Sequence, residues 1–324
     1  MIVIRCLFPV GQGGFAAEVI DSRYCIVFDC GSTTSPTRVS NYIDAMNRHG
    51  VHFVDKLFIS HFDKDHVNCI RELIDKIGVK EAIIPDIPKE LRYVYNVYTG
   101  GAYLNTINLF QNRETELSRV DENGKSINYD MWEWHAKSML TNNDWQKLNH
   151  EFIWKGLQVN QFGNPDYIER NKKEINDCFK VFGSKGPNSK GLIVLSQKTI
   201  GVQIDSDEII YSFNRIPGHY SGCFYTGDAD LKNKNNRKIA FGFLKKNMNE
   251  HCLLLAQIPH HGSSYYAKDT FDKDFVSEYY FYCDRSNNRL QQNATLYNRL
   301  VTNHNLFEVR DIGRDLILNT IIVR

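Results

Sequence analysis

The chain has 324 residues, enough for one large core or two smaller ones, and its 39 basic side chains are balanced by 38 acidic ones. A net charge of +1 gives no global argument for nucleic acid, although it leaves a local basic patch open. No apolar run approaches the roughly 18 residues of a membrane helix, residues 1–8 lack the marks of a signal peptide, and the eight cysteines form no C-x-x-C pair. A soluble cytoplasmic protein with reduced core thiols and no membrane partner is the expectation.

Residues 1–8, 15–20 and 24–28 read as strands separated by turn residues. Residues 38–48 read as a helix, 56–60 as a strand, 67–77 as a helix with apolar residues at helical spacing, and 81–84 as a strand. From 85 to about 184 the texture turns polar and aromatic, with Tyr93, Tyr95, Tyr98, Tyr103, Trp132, Trp134, Trp145 and Trp154 and only patchy helical periodicity. No linker bounds this block. It is therefore expected to be a largely helical insertion, residues 86–187, packed on a single domain that spans 1–324. After Gly191 the strand pattern returns in 192–196, 199–204, 208–213 and 223–225. A helix around 237–246, a strand at 253–258 and a closing β/α/β run follow.

The chemistry gathers where predicted strands end. Residues 59–66 read I-S-H-F-D-K-D-H, placing His61, Asp63, Asp65 and His66 between a strand and a helix. In α/β folds ligands collect at such ends, and two imidazoles with two carboxylates could surround a metal ion. A charged turn is the plain alternative. Three further clusters also follow strands: V-G-Q-G-G at 10–14 with V-F-D-C-G-S at 27–32, Y-T-G-D at 225–228, and I-P-H-H-G-S-S at 258–264. Each alone could be turn chemistry.

Together, in this order, they resemble the metallo-β-lactamase-fold hydrolases. More narrowly, they look like the hydrolase domain of the ComEC DNA-uptake channel proteins and its soluble relatives, with V-G-Q-G, D-x-G, H-x-D-x-D-H, T-G-D and P-H-H-G-S. The resemblance covers residues 1–85 and about 188–324. It implies an α/β fold, the αββα sandwich, with a divalent-metal site, two ions of Zn²⁺ or Mn²⁺. It implies His61, Asp63, Asp65, His66, Asp228 and His261 as metal ligands, with Asp228 bridging. His260 becomes either a residue that supports the ligands or a proton-transfer candidate, and Asp65 can also orient the attacking water. Asp29 matches a carboxylate that buttresses the ligands, or else it stabilises a turn.

Two departures from that pattern matter. The superfamily's third histidine has no clear equivalent. Pro187-Asn188-Ser189-Lys190-Gly191 stands in its place, where Asn188 either faces a metal or belongs to a turn. The resulting oxygen-rich site admits Mn²⁺ or Mg²⁺ beside Zn²⁺. The G-H-P usual near the C-terminal end is also missing, since residues 286–293 read S-N-N-R-L-Q-Q-N. His135, His150 and His219 are either substitutes or ordinary loop and packing histidines.

Two bridged ions would acidify a water, and the hydroxide would attack phosphorus or a carbonyl carbon. The expected substrate is a phosphodiester, in nucleic acid or a cyclic nucleotide. The alternatives are ester, thioester or lactone hydrolysis, and a non-catalytic metal-stabilised module whose insertion binds a protein partner. The middle aromatics either stack bases or pack the insertion. Lys172, Lys173, Lys185 and Lys190 either contact phosphates or form a solvated face.

Overall fold

Strand alternation sorts the apolar side chains into layers. Along residues 24–28, Ile26 and Phe28 point to one face while Cys25 and Val27 point to the other, and both sets are buried. Along residues 192–195, Leu192 and Val194 share the first of these layers, and Ile193 and Leu195 enter a third. Strands apolar on both faces must be covered on both faces.

The computed structural model describes residues 1–183, 186–211, 214–284, 289–303, 305–310 and 316–324. Its strands are β1 (Ile2–Leu7), β2 (Gly13–Ile20), β3 (Tyr24–Ser32), β4 (Val54–Phe58), β5 (Val79–Pro85), β6 (Glu116–Val120), β7 (Lys125–Tyr129) and β8 (Trp132–Ser138). They continue as β9 (Leu192–Lys198), β10 (Ile204–Tyr211), β11 (Asn214–Pro217), β12 (Cys223–Tyr225), β13 (Leu253–Gln257), β14 (Ser277–Asp284), β15 (Leu306–Arg310) and β16 (Ile317–Val323). One sheet has the order β11-β10-β16-β1-β2-β3-β4-β5-β6 and the other β15-β14-β13-β12-β9-β8-β7. Helix Pro36–Arg48 buries Val39, Ile43 and Met46 in the apolar layer outside the first sheet. Helix Lys234–Asn247, capped by Asn233, buries Ala240, Phe243 and Leu244 outside the second. The result is the αββα sandwich expected from the sequence. Among the described residues no helix is long and apolar enough to cross a membrane, and all eight cysteines are free thiols.

The parallel runs β3-β4-β5-β6 and β12-β13-β14-β15 position the site, because in each the strands end on the same side of their sheet. The middle block divides. Helices Arg92–Tyr98, Ala102–Asn112, Asn142–Trp154 and Lys172–Cys178 add Val94, Tyr95, Tyr103, Leu148, Phe152 and Cys178 to the first outer layer. Residues 116–138 instead extend the sandwich itself: β6 pairs with β5, and β8 joins the β7 hairpin to β9. Trp132 and Trp134 are fully buried between the sheets. The sequence W-E-W-H-A-K-S carries the period-two signature of a half-buried strand, which aromatic content alone conceals. Residues 199–203 form a turn, and the strand expected there starts at Ile204.

A polar network ties the two sheets together inside the shared core. Arg5 of β1 and Glu18 of β2 are fully buried and paired, Nε to Oε1, at 2.7 Å. Glu18 also accepts from Trp134 Nε1 (2.7 Å), Ser196 Oγ (2.6 Å) and Tyr225 Oη (3.0 Å), all on the opposite sheet. Arg5 donates its remaining hydrogen bonds to Asn319 and to the Ser221 carbonyl. Removing one partner of such a pair leaves a buried charge uncompensated, so Glu18→Ala is expected to lose roughly 3–5 kcal/mol of stability. Urea denaturation measures this, and a loss below about 1 kcal/mol, the size of an exposed pair, would show that the network does not hold the sheets.

Candidate metal centre

Each element of the centre leaves a strand end under local constraint. After β4 the apolar run reaches Ile59, and the chain then turns through His61 and Asp63 into the short helix Lys64–Val67. Asp29 lies in β3, where the pairing with β2 shifts between Phe15 and Ala16, and its φ is +53°. A bulge of this kind re-aims one side chain. Its Oδ1 accepts the Ser60 amide (2.7 Å), and its Oδ2 accepts Ser60 Oγ (2.7 Å) and faces His66 Nδ1 (2.8 Å). Gly14 explains part of the glycine-rich stretch opposite. A Cβ there would stand 2.8 Å from His66 Nδ1 and 2.9 Å from Asp29 Cβ.

The second sheet supplies the rest. The loop after β12 is held to β13 by Gln257, whose Oε1 accepts the amides of Thr226 (2.8 Å) and Gly227 (3.0 Å) and so presents Asp228. After β13, His260, His261 and Gly262 have φ of +49°, +55° and +77°. Such a conformation costs a non-glycine residue roughly 1–3 kcal/mol. It sends the two imidazoles apart. His260 stacks on Tyr266 with ring centroids 3.8 Å apart and donates Nδ1–H to Asp228 Oδ2 at 2.7 Å. His261 donates Nδ1–H to the Cys283 carbonyl at 3.0 Å.

Three imidazoles then face inward with nothing bonded to them. The Nε2 atoms of His61, His66 and His261 are buried and without a hydrogen-bond partner among the described residues. Their other nitrogens are committed: His61 to Ser60 Oγ (3.0 Å), which itself donates to Asp29, His66 to Asp29, and His261 to a carbonyl. Those acceptors engage Nδ1 and aim Nε2 inward, the orientation that metal-binding histidines require. His61 Nε2 lies 3.5 Å from Asp63 and 3.7 Å from Asp228 Oδ2. His66 Nε2 lies 3.4 Å from Asp228 Oδ1. His261 Nε2 lies 3.4 Å from Asp65 and 3.9 Å from Asp228 Oδ1. These separations exceed good hydrogen bonds. They suit neighbouring ligands on one ion, which sit about 3.4 Å apart when bonds of about 2.1 Å point to tetrahedral corners. His61, His66 and Asp228 could hold an ion, and so could Asp65, His66 and His261. Asp228 turns its two oxygens to different histidines.

The charges in the cluster hold one another. Burial pushes the His66 imidazolium pKa down, yet the Asp29 and Asp228 carboxylates outweigh it and raise it well above the ordinary value. Burial pushes Asp228 up, yet His66 and His260 hold it far below the carboxylate range. Asp65 is likewise lowered, against its burial, by His261 and His66. For His61, burial and His66 act downward, and Asp63 with Asp228 raise it above its usual value. A cation entering here competes with imidazole protons.

Asp29, His61, Asp63, Asp65, His66, Asp228, His260 and His261 meet at this point. Asn188 bears on Asp63, donating Nδ2–H to its Oδ1 at 2.6 Å while its own oxygen accepts from Tyr95 Oη at 3.3 Å. The Asp63 side chain, 43% exposed, marks the open side. The other histidines are placed differently: His135 bonds Ser126, His219 pairs with Glu278, and His150 lines a surface groove beside Trp154. Lys190 pairs with Asp144 and Lys172 with Glu169, Lys173 is exposed, and Lys185 lies outside the described residues, as do 286–288. Of the middle aromatics, Tyr95, Tyr103, Trp132, Trp134 and Trp145 are buried, whereas Tyr93 and Trp154 are exposed. Sequence reading passed over Ser60, Gln257 and the Cys283 carbonyl. Ser60 had a signal, since it directly precedes the first ligand motif at a strand end.

No family model and no curated protein matches the chain. Among solved structures, a new diphosphatase of the PhnP family aligns over 100% of both chains at 10% identity and a TM-score of 0.41. A variant of the CmlA β-hydroxylase aligns over 98% of this chain and 53% of its own, at 9% identity and TM-score 0.49. A protein from Thermotoga maritima assigned to the metallo-β-lactamases aligns over 69% of this chain and 78% of its own, at 9% identity and TM-score 0.36. At these identities and scores the likeness assigns no activity.

Asp29→Asn tests the buttress without disturbing its backbone, because asparagine tolerates positive φ. The amide cannot hold the His66 proton as the carboxylate does. Metal affinity should fall about 10- to 100-fold with the melting temperature little changed, measured by competitive metal titration alongside thermal melting.

Proposed function

We propose that the protein is a divalent-metal-dependent hydrolase of phosphodiesters, in nucleic acid or a cyclic nucleotide. The observation that carries this reading is that the buried Nε2 atoms of His61, His66 and His261 have no hydrogen-bond partner among the described residues and stand beside the carboxylates of Asp63, Asp65 and Asp228. His61, Asp63 and Asp228 would hold one ion; Asp65, His66, His261 and Asp228 would hold the other, with Zn²⁺ or Mn²⁺ as candidates. When bound, the ions supply an acidified water and positive charge for the developing anion. Asp65 would orient that water. His260, with its Nδ1–H on Asp228 and its side chain 26% exposed, would exchange a proton with a leaving group.

A protein nucleophile finds little support at this site. Cys283 and Cys30 are the nearby thiols, and burial pushes Cys283 up to about 12 and Cys30 well above its usual value, so neither offers a thiolate. Oxygen donors dominate the Asp63 side, where an asparagine stands instead of a third histidine, and this suits a hard ion and a phosphoryl substrate. Eight free thiols fit a reducing cytoplasm.

Asp228→Asn and His66→Ala should each abolish hydrolysis of a model phosphodiester and remove bound metal while the fold survives. Elemental analysis, melting and assay on the same preparations read all three. Full activity in either variant would sink the proposal. Turnover of thioesters or lactones without phosphodiesters would favour the ester reading, and a wild-type protein binding no divalent ion would leave only a non-catalytic module.

A further inference from the structure

One cation, Arg289, has no carboxylate partner among the described residues. Arg289 is half-buried, and its guanidinium meets a single described partner, Gln12 Oε1, 3.4 Å from Nη2. Its place is fixed from both sides. The next residue, Leu290, is fully buried, and a Cβ on Gly262 would stand 3.1 Å from its Cβ, so the short turn Leu290–Gln292 rests on the strained His260–Gly262 segment. Gln12 is held by Thr34 Oγ1, which accepts its amide at 2.9 Å, and by the Thr33 amide, which donates to its carbonyl at 3.0 Å. The following residue, Gly13, abuts the Asp65 carbonyl, where a Cβ would approach to 2.9 Å. Arg289 therefore links Gln12, whose neighbour Gly13 packs on Asp65, to a turn that packs beside His261.

The charge count gives that position a purpose. Asp29, Asp63, Asp65 and Asp228 bring four negative charges, enough to neutralise two divalent ions. The ions would still act on the reacting oxygens, and a further cation outside the carboxylate set would add to the hold on a substrate phosphate. A guanidinium is always charged, is cheaper to desolvate than an ammonium, and presents paired N–H donors that match two phosphate oxygens. Partial burial with no carboxylate partner among the described residues leaves those donors available.

We propose that Arg289 binds the phosphate of the substrate by donating to its non-bridging oxygens, with Gln12 orienting the guanidinium. This inference rests on the phosphodiester reading and adds a recognition element to it. The test uses metal-loaded full-length protein as wild type, Arg289→Ala, Arg289→Gln and Arg289→Lys. Binding of inorganic phosphate is measured by calorimetry, and hydrolysis of bis(p-nitrophenyl) phosphate by steady-state kinetics. Elemental analysis and melting establish that each variant is loaded and folded. In the alanine and glutamine variants phosphate affinity should fall about tenfold or more, and KM for the diester should rise by a similar factor with a smaller change in kcat. Lysine should recover part of both losses. Phosphate binding within twofold of wild type in a loaded, folded variant, or a wild type that binds no phosphate, overturns the assignment. A wild type that binds phosphate through Arg289 but hydrolyses no diester would instead overturn the proposed activity and leave Arg289 as an anion-binding residue.

Discussion

A single carboxylate, Glu18, sets the relation between the two sheets. It is fully buried, paired with Arg5 on its own sheet, and bonded to Trp134, Ser196 and Tyr225 on the other. An apolar core of the same volume could match its stability, because desolvating such a pair costs about as much as the pair returns. What apolar contacts lack is direction. The candidate centre draws Asp29, His61, Asp63, Asp65 and His66 from one sheet and Asp228, His260 and His261 from the other. A slip between sheets would separate those two halves by more than any metal bond can span. Tyr225, one of the residues bonded to Glu18, lies three positions before Asp228.

The centre itself is held in shape by its surroundings. Asp29, His260 and His261 adopt left-handed backbone conformations that disfavour residues with a Cβ. Each is overruled by specific bonds: Asp29 to Ser60 and His66, His260 to Asp228, His261 to Cys283. Those same bonds orient the imidazoles and leave Nε2 facing inward. Strain and pre-organisation thus have one origin here, which is typical of functional sites.

The middle of the chain reaches the centre through a short relay. Tyr95 donates to Asn188, Asn188 donates to Asp63, and Asp63 faces His61. Tyr95 sits in the aromatic packing of the helices, edge-on to Tyr103 and Trp145. Rearrangement of those helices would therefore move the open side of the site. Because β6, β7 and β8 belong to the sandwich, residues 86–187 cannot be treated as a detachable cap. Excision would remove Trp132 and Trp134 from the inter-sheet core.

The candidate ligands could be picked out in the sequence because strand ends are short-range features. I-S-H-F-D-K-D-H, T-G-D and P-H-H-G each follow an apolar run, and apolar runs are visible without coordinates. Residues 116–138 were not assigned to the sheets, because β6 and β8 are stabilised by partners far away in the chain, β5 and β9. The choice between buttress and turn for Asp29, and between ligand and turn for Asn188, needed the positions of His66 and Asp63. The roles of Ser60, Gln257 and the Cys283 carbonyl likewise depend on contacts between segments. Arg289 came into view in the sequence only as part of the segment that stands where a G-H-P is usual. Local pattern determined which residues could do chemistry, and only tertiary packing decided which of their atoms face one another, since hydrogen bonds and charge pairs act over a few ångströms of space whatever the distance along the chain.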